Sequence, residues 1–213
     1  MNDNDFEYDE VLEETEEKLS GAMRVTREAY DWLDAVVAAV VTVVLLFTFV
    51  LRQVGVDGES MLQTLQHKDR VIISNFMYEP KPKDIVVISR NYTNDEHLPV
   101  DRNTEPIIKR VVATAGQEVD INFEMGEVSV DGIVLQEEYI NAPTHLKYDI
   151  DFPVTVPENC VFVMGDNRNH SLDSRNSAIG MVDEKYVLGK AYVRIWRDKE
   201  FRQSDNDIFA KLS

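Results

Sequence analysis

Hydrophobic positions fall in one long block and a series of short ones. The long block, Ala35 to Leu51, runs 17 residues without a charge, and counting from Leu33 gives 19 with only Asp34 interrupting near one end. At about 1.5 Å rise per residue that helix would reach roughly 28 Å, close to the hydrocarbon thickness of a bilayer. A cleavable leader has a shorter apolar core near the N-terminus and a small-residue cleavage site after it. Here 31 acidic-rich residues come first, and Leu51-Arg-Gln-Val-Gly-Val-Asp57 follows with no Ala-x-Ala. The pattern predicts a retained anchor over residues 32–54, with Tyr30 and Trp32 at the place of an interfacial aromatic belt.

Beyond the anchor the period changes to that of strands. Short Val/Ile-rich runs predict strands over Arg70–Ser74, Ile85–Ser89, Ile107–Thr114, Glu127–Val130, Cys160–Met164 and Ala191–Trp196. Turn signals such as Lys81-Pro-Lys-Asp84 and Asp131-Gly132 separate them. No long amphipathic helix competes and no repeat appears. Residues 55–213 are therefore expected to form one mostly β, antiparallel unit with a smaller β lobe at about 117–160.

Charge refines this picture. Residues 1–31 hold eleven acidic side chains against Lys18, Arg24 and Arg27, or 3 minus 11, giving −8. This stretch is predicted to be a solvated tail, disordered or partly helical from about Tyr8. The whole chain carries 22 Lys+Arg against 39 Asp+Glu, a net charge of −17, and so lacks the basic footprint that nucleic acid requires. One cysteine, Cys160, excludes an internal disulfide and a multi-cysteine zinc cage. His67, His97, His145 and His170 show no metal-ligand spacing, so no metal or cofactor is expected. Basic residues flank the anchor almost equally, and charge alone does not orient it.

Three stretches carry candidate chemistry. The first is Gly58-Glu-Ser60-Met-Leu-Gln-Thr64-Leu65, just past the anchor. It lacks the second glycine of a G-x-S-x-G elbow and the lysine of S-x-x-K. The second is Ile107-Ile-Lys109-Arg-Val-Val-Ala113. Strand alternation sets Lys109 beside Ile107, Val111 and Ala113, and Arg110 on the other face with Ile108 and Val112. Both faces are apolar, so periodicity does not choose between them, but only the lysine can lose its proton. Holding a lysine neutral at pH 7 against its ordinary value near 10.4 costs roughly 4 to 5 kcal/mol, which apolar burial can supply. The third is Met164-Gly-Asp166-Asn-Arg-Asn-His-Ser171-Leu-Asp173-Ser-Arg175, dense in hydrogen-bonding groups after a hydrophobic run. One reading of it is a surface turn with Asx caps; in the other, Ser171 orients an amine while Asp173 and Arg175 form a supporting ion pair. Nothing in the spacing shows that the three stretches meet in space.

Together they resemble the signature boxes of bacterial type I signal peptidases, the membrane-anchored Ser/Lys proteases of family S26. Ser60-Met61 with Thr64-Leu65 resembles the nucleophile box, Lys109-Arg-Val-Val the general-base box, and Gly165 to Arg175 the third box. Asp84-Ile-Val-Val87 resembles the family's substrate-pairing strand, and Val128 to Ile140 part of its smaller lobe. The resemblance implies Ser60 as nucleophile, Lys109 as general base, a bond from Ser171 to Lys109, and Asp166, Asp173 and Arg175 as supports. The Ser60 backbone N–H would hold the oxyanion, and Gly58 stands where some relatives carry a hydroxyl. Gln63 stands where relatives commonly carry proline.

The same resemblance implies that an extended signal peptide pairs with Asp84, Ile85, Val86 and Val87 on one side and Val56 to Gly58 on the other. Shallow pockets near Met61 would admit small residues. It also implies a single-pass protein in the cell membrane, N-terminus cytoplasmic and catalytic domain outside, acting on exported preproteins; nothing in the sequence demands more than a monomer. Met61, Leu62, Phe76, Met77 and Tyr78 are candidates to dip into lipid. The rival functions are a pilin-processing or repressor-type Ser/Lys protease, and a non-catalytic export or pilus assembly factor.

Overall fold

A computed structural model describes residues 27–89, 106–198 and 209–212. The first 26 residues, and with them most of the acidic tail, lie outside the described residues, as does His97. The chain divides into two units, residues 1–49 and 50–213. In the first, an apolar helix spans Arg27–Thr48, 22 residues, long and apolar enough by length and composition to cross a bilayer. Its last turns widen to a π-helix at Leu46–Val50. The helix begins before the expected residue 32. Strand structure begins at Arg52, inside the expected anchor, because Arg52–Gly55 finds a partner strand.

The second unit is built on an eight-stranded antiparallel sheet. Its strands are β1 (Arg52–Gly55), β2 (Arg70–Ser74), β3 (Ile85–Ile88), β4 (Ile107–Thr114), β9 (Cys160–Met164), β10 (Val182–Asp183), β11 (Val187–Trp196) and β12 (Ala210–Lys211). The order is β1-β2-β11-β3-β4-β9-β10, with β12 also on β11. A four-stranded sheet, in the order β7-β6-β5-β8, is formed by β5 (Glu118–Asn122), β6 (Glu127–Val130), β7 (Ile133–Val134) and β8 (Val154–Thr155). The fold is thus mostly antiparallel β after one apolar helix.

Period-two alternation explains the packing. In β3, Ile85 and Val87 join one core with Val56, Met61, Leu65, Val71, Ile73 and Ile108, while Val86 and Ile88 join another with Val111, Val161 and Val163. A strand buried on both faces reads as a continuous aliphatic run. In β4 the alternation breaks at a bulge, where pairing with β9 shifts between Val111 and Ala113. Val112 and Ala113 therefore both pack into the third core, with Phe162 and Met164, and Ala113 does not share Lys109's face as alternation alone predicts. That core also joins the two sheets, since Val119, Ile121, Val128 and Val130 belong to it.

Phe162 is fully buried there and meets Phe152 edge to face at 6.0 Å. Phe162→Ala is expected to lower stability by about 3–5 kcal/mol, seen as a lowered denaturant midpoint. A loss under about 1 kcal/mol would mean that the sheets do not depend on this core.

Candidate active site

The site begins at the turn after β1. Gly58 has φ +92°, a left-handed conformation suited to glycine, and its N–H donates to His67 Nδ1 at 3.3 Å. Leu62 N–H donates to the Glu59 carbonyl and Leu65 N–H to the Met61 carbonyl, closing the chain around Ser60. Met61 and Leu65 bury their side chains beneath this turn, leaving Ser60 half-buried above them.

Lys109 comes from β4, where it lies opposite Val86, while Arg110 lies opposite both Ile85 and Met164. The lysine side chain is 4% exposed, and its Nζ donates to Ser60 Oγ at 2.7 Å. A primary amine and a serine hydroxyl 49 residues apart thus stand within proton-transfer distance.

Arg110 links the third stretch to this pair. Its Nε and Nη2 donate to the two carboxylate oxygens of Asp166 at 2.8 and 2.7 Å, and its Nη1 donates to the Lys83 carbonyl at 2.8 Å. Thr64 Oγ1 donates to the same Asp166 carboxylate at 2.5 Å. The next residue completes the joint. Asn167 N–H donates to the Ser60 carbonyl at 2.9 Å and its side-chain amide to the Glu59 carbonyl at 3.1 Å.

The loop itself is held by buried ions. Asp173 pairs with Arg175 Nε at 2.8 Å and accepts the Gly165 N–H at 3.0 Å. Arg175 also donates to the carbonyls of Arg168 and Leu146. Arg168 is fully buried and forms a two-pronged pair with Glu137, at 2.6 and 2.5 Å. Burial opposes its charge most strongly, but the hydrogen bond and charge of Glu137, with Tyr139 and Asp166, together hold the guanidinium above its ordinary value.

Several expected placements differ. Ser171 is buried, but its Oγ has no hydrogen-bond partner among the described residues, so the bond to Lys109 is not made. It packs against Gly165 instead. Both edges of β3 are occupied, by β4 and β11, so Ile85, Val86 and Val87 have no edge left for a peptide. Asp84 is tied to Tyr78 Oη at 2.8 Å and Lys190 Nζ at 2.5 Å. Val56 spends its N–H and carbonyl on Asp69 and Lys68. Met61 is a core residue, and Tyr78 packs inward, whereas Phe76 and Met77 are exposed. The open edge belongs to β1, which pairs only with β2 among the described strands. Beside it runs a groove of about 570 Å³ lined by Gln53, Val54, Gly55, Val56, Asp57, His67 and Pro106.

Comparisons with known proteins give the family. The description "Signal peptidase, peptidase S26" matches residues 29–196, which include Ser60, Lys109 and the whole third stretch. The chain belongs to the S26 signal peptidase family. It is 36% identical over 171 residues to "Probable signal peptidase I-2" of Synechocystis, covering 78% of this chain and 73% of that one. "Signal peptidase I S" of Bacillus subtilis is 30% identical over 187 residues, covering 82% and 93%. A crystal structure of a signal peptidase I from Enterococcus faecalis aligns at 28% identity and TM-score 0.39, covering 53% of this chain and 97% of the other. As a member of this peptidase family the chain is a hydrolase, and family and fold follow the resemblance read from the motifs. The motifs gave no separate role to Arg110, Thr64, Asn167, Arg168, Glu137 or Tyr139. For Arg110 the signal was available, as a second buried cation beside Lys109.

Gly165 has no room for a side chain. A Cβ there would collide with Ser171 Oγ and lie 2.5 Å from the Ser60 carbonyl oxygen. Gly165→Ala is therefore expected to displace the Ser60 backbone and lower peptidase turnover about 100-fold, as misplacement near 1 Å does. Turnover within threefold of wild type would show that the Ser60 turn is not held where the structure has it.

Proposed function

We propose that this chain is a membrane-anchored serine endopeptidase that removes N-terminal signal peptides from exported preproteins, with Ser60 as nucleophile and Lys109 as general base. The observation that carries the proposal is the 2.7 Å contact of Lys109 Nζ with Ser60 Oγ. The family's signal-peptide chemistry supplies the substrate class.

In this mechanism the neutral Lys109 amine accepts the hydroxyl proton as Ser60 Oγ attacks the scissile carbonyl. The Ser60 N–H faces the developing oxyanion. Collapse breaks the peptide bond, and the proton held on Lys109 passes to the leaving amine. Water then attacks the acyl-enzyme, giving its proton to Lys109 and releasing the signal peptide with Ser60 restored. The substrate lies extended along the open edge of β1 and the start of β4 at Pro106, since β9 pairs β4 only from Arg110 onward. Val56 and Ile108, both buried nearby, favour small side chains at the cleavage site. The helix Arg27–Thr48 spans the membrane with the N-terminus in the cytoplasm and the catalytic unit outside.

Detergent-solubilised protein should cleave a preprotein carrying an Ala-x-Ala signal after the second small residue. Ser60→Ala and Lys109→Ala should each lower turnover at least about 1,000-fold while thermal unfolding stays near wild type. Cleavage that survives Lys109→Ala would rule out the lysine as base. A folded wild-type chain inert on such signals, or active only on pilin subunits, would overturn general signal-peptide processing.

A further inference from the structure

Tyr139 lies in the connection between β7 and β8 of the small sheet, and the chemistry above makes no use of it. Its ring covers the Arg110 guanidinium, with Cζ 3.9 Å from the ring centroid. Its hydroxyl donates to Glu137 at 2.9 Å, and Glu137 in turn receives Arg168 of the third loop. Arg110 is 1% exposed. A guanidinium so buried is costly to leave open to disorder, and an aromatic face over it is an attractive partner. Burial of the phenol and the nearby Glu137 carboxylate push its ionisation far above the ordinary tyrosine value. The hydroxyl therefore stays a donor at any working pH.

These contacts form one line from the small sheet to the nucleophile. Glu137 fixes Tyr139, Tyr139 covers Arg110, Arg110 orients Asp166, and Asp166 with Asn167 holds Thr64 and the Ser60 carbonyl. We propose that Tyr139 is a positioning residue for the Ser60–Lys109 pair, acting through the Arg110–Asp166 ion pair. This rests on the Ser/Lys reading above. Without the ring, water reaches the guanidinium, the carboxylate loosens, and Ser60 drifts from Lys109. The ring does the covering and the hydroxyl only aims it, so phenylalanine should substitute largely for tyrosine.

The test uses the full detergent-solubilised chain and compares Tyr139→Leu with Tyr139→Phe. Three quantities are read: kcat and KM on an Ala-x-Ala preprotein, thermal unfolding, and hydrogen exchange of the Arg110 Nε–H by NMR. Tyr139→Leu should lower kcat by about 30- to 100-fold with KM within about twofold, and accelerate Arg110 exchange at least about tenfold. Tyr139→Phe should keep kcat within about threefold of wild type and leave the exchange slow. If Tyr139→Leu does not fold, Tyr139→Met is held to the same outcomes. Unchanged kcat and unchanged exchange, or a loss confined to KM, would overturn the proposal. A wild-type chain that cleaves nothing, while exchange still accelerates in Tyr139→Leu, would instead overturn the Ser/Lys reading and with it the catalytic half of this proposal.

Discussion

One buried carboxylate organises the site. Asp166 is fully buried and accepts two hydrogen bonds from Arg110 and one from Thr64. Asp166 and its two partners come from three separate pieces of chain: the loop after β9, the strand β4 and the turn carrying Ser60. Arg110 is the neighbour of Lys109, and Thr64 lies four residues after Ser60. A single charged group thus sets where the amine and the hydroxyl meet. A carboxylate in that position is costly to desolvate and tolerable only with every oxygen satisfied.

The same economy runs through the third loop. Asp173 with Arg175 and Glu137 with Arg168 are ion pairs in which each partner is almost wholly removed from water. Buried pairs of this kind add little net stability over a well-packed apolar substitute, while breaking one costs about 3–5 kcal/mol. Their service here is geometric. They hold a loop of polar residues, unable to form a core of its own, against the end of β9 and the small sheet. Asn167 can then reach the Ser60 carbonyl.

How much of this was legible in the sequence depended on the kind of signal. Short Val/Ile-rich runs marked β2, β4, β6 and β9 at the bounds the structure shows; β4 and β9 are buried on both faces, whereas β6 alternates exposed and buried residues. The run Glu118-Val-Asp-Ile-Asn122 was not predicted as a strand, although its alternation of exposed and buried residues is regular. β1 was hidden by the apolar block that flows into it. The assignment of Ile85 to Val87 to substrate failed for a physical reason visible in hindsight: four consecutive buried aliphatics suit a central strand, whose edges are both filled. The proposed nucleophile and base were read from motifs, since 49 residues of separation carry no proximity signal. Arg110 was set aside because it cannot lose a proton, and that same permanence makes it a reliable clasp.

The central claim is that Ser60 and Lys109 act as one catalytic unit. A double-mutant cycle on kcat/KM tests it most directly, using single-turnover cleavage at excess enzyme for wild type, Ser60→Ala, Lys109→Ala and the double variant. If the two side chains serve one proton transfer, the double variant should be no slower than either single one, because removing either already disables the step. Losses that multiply in the double variant would show two independent contributions and contradict the account.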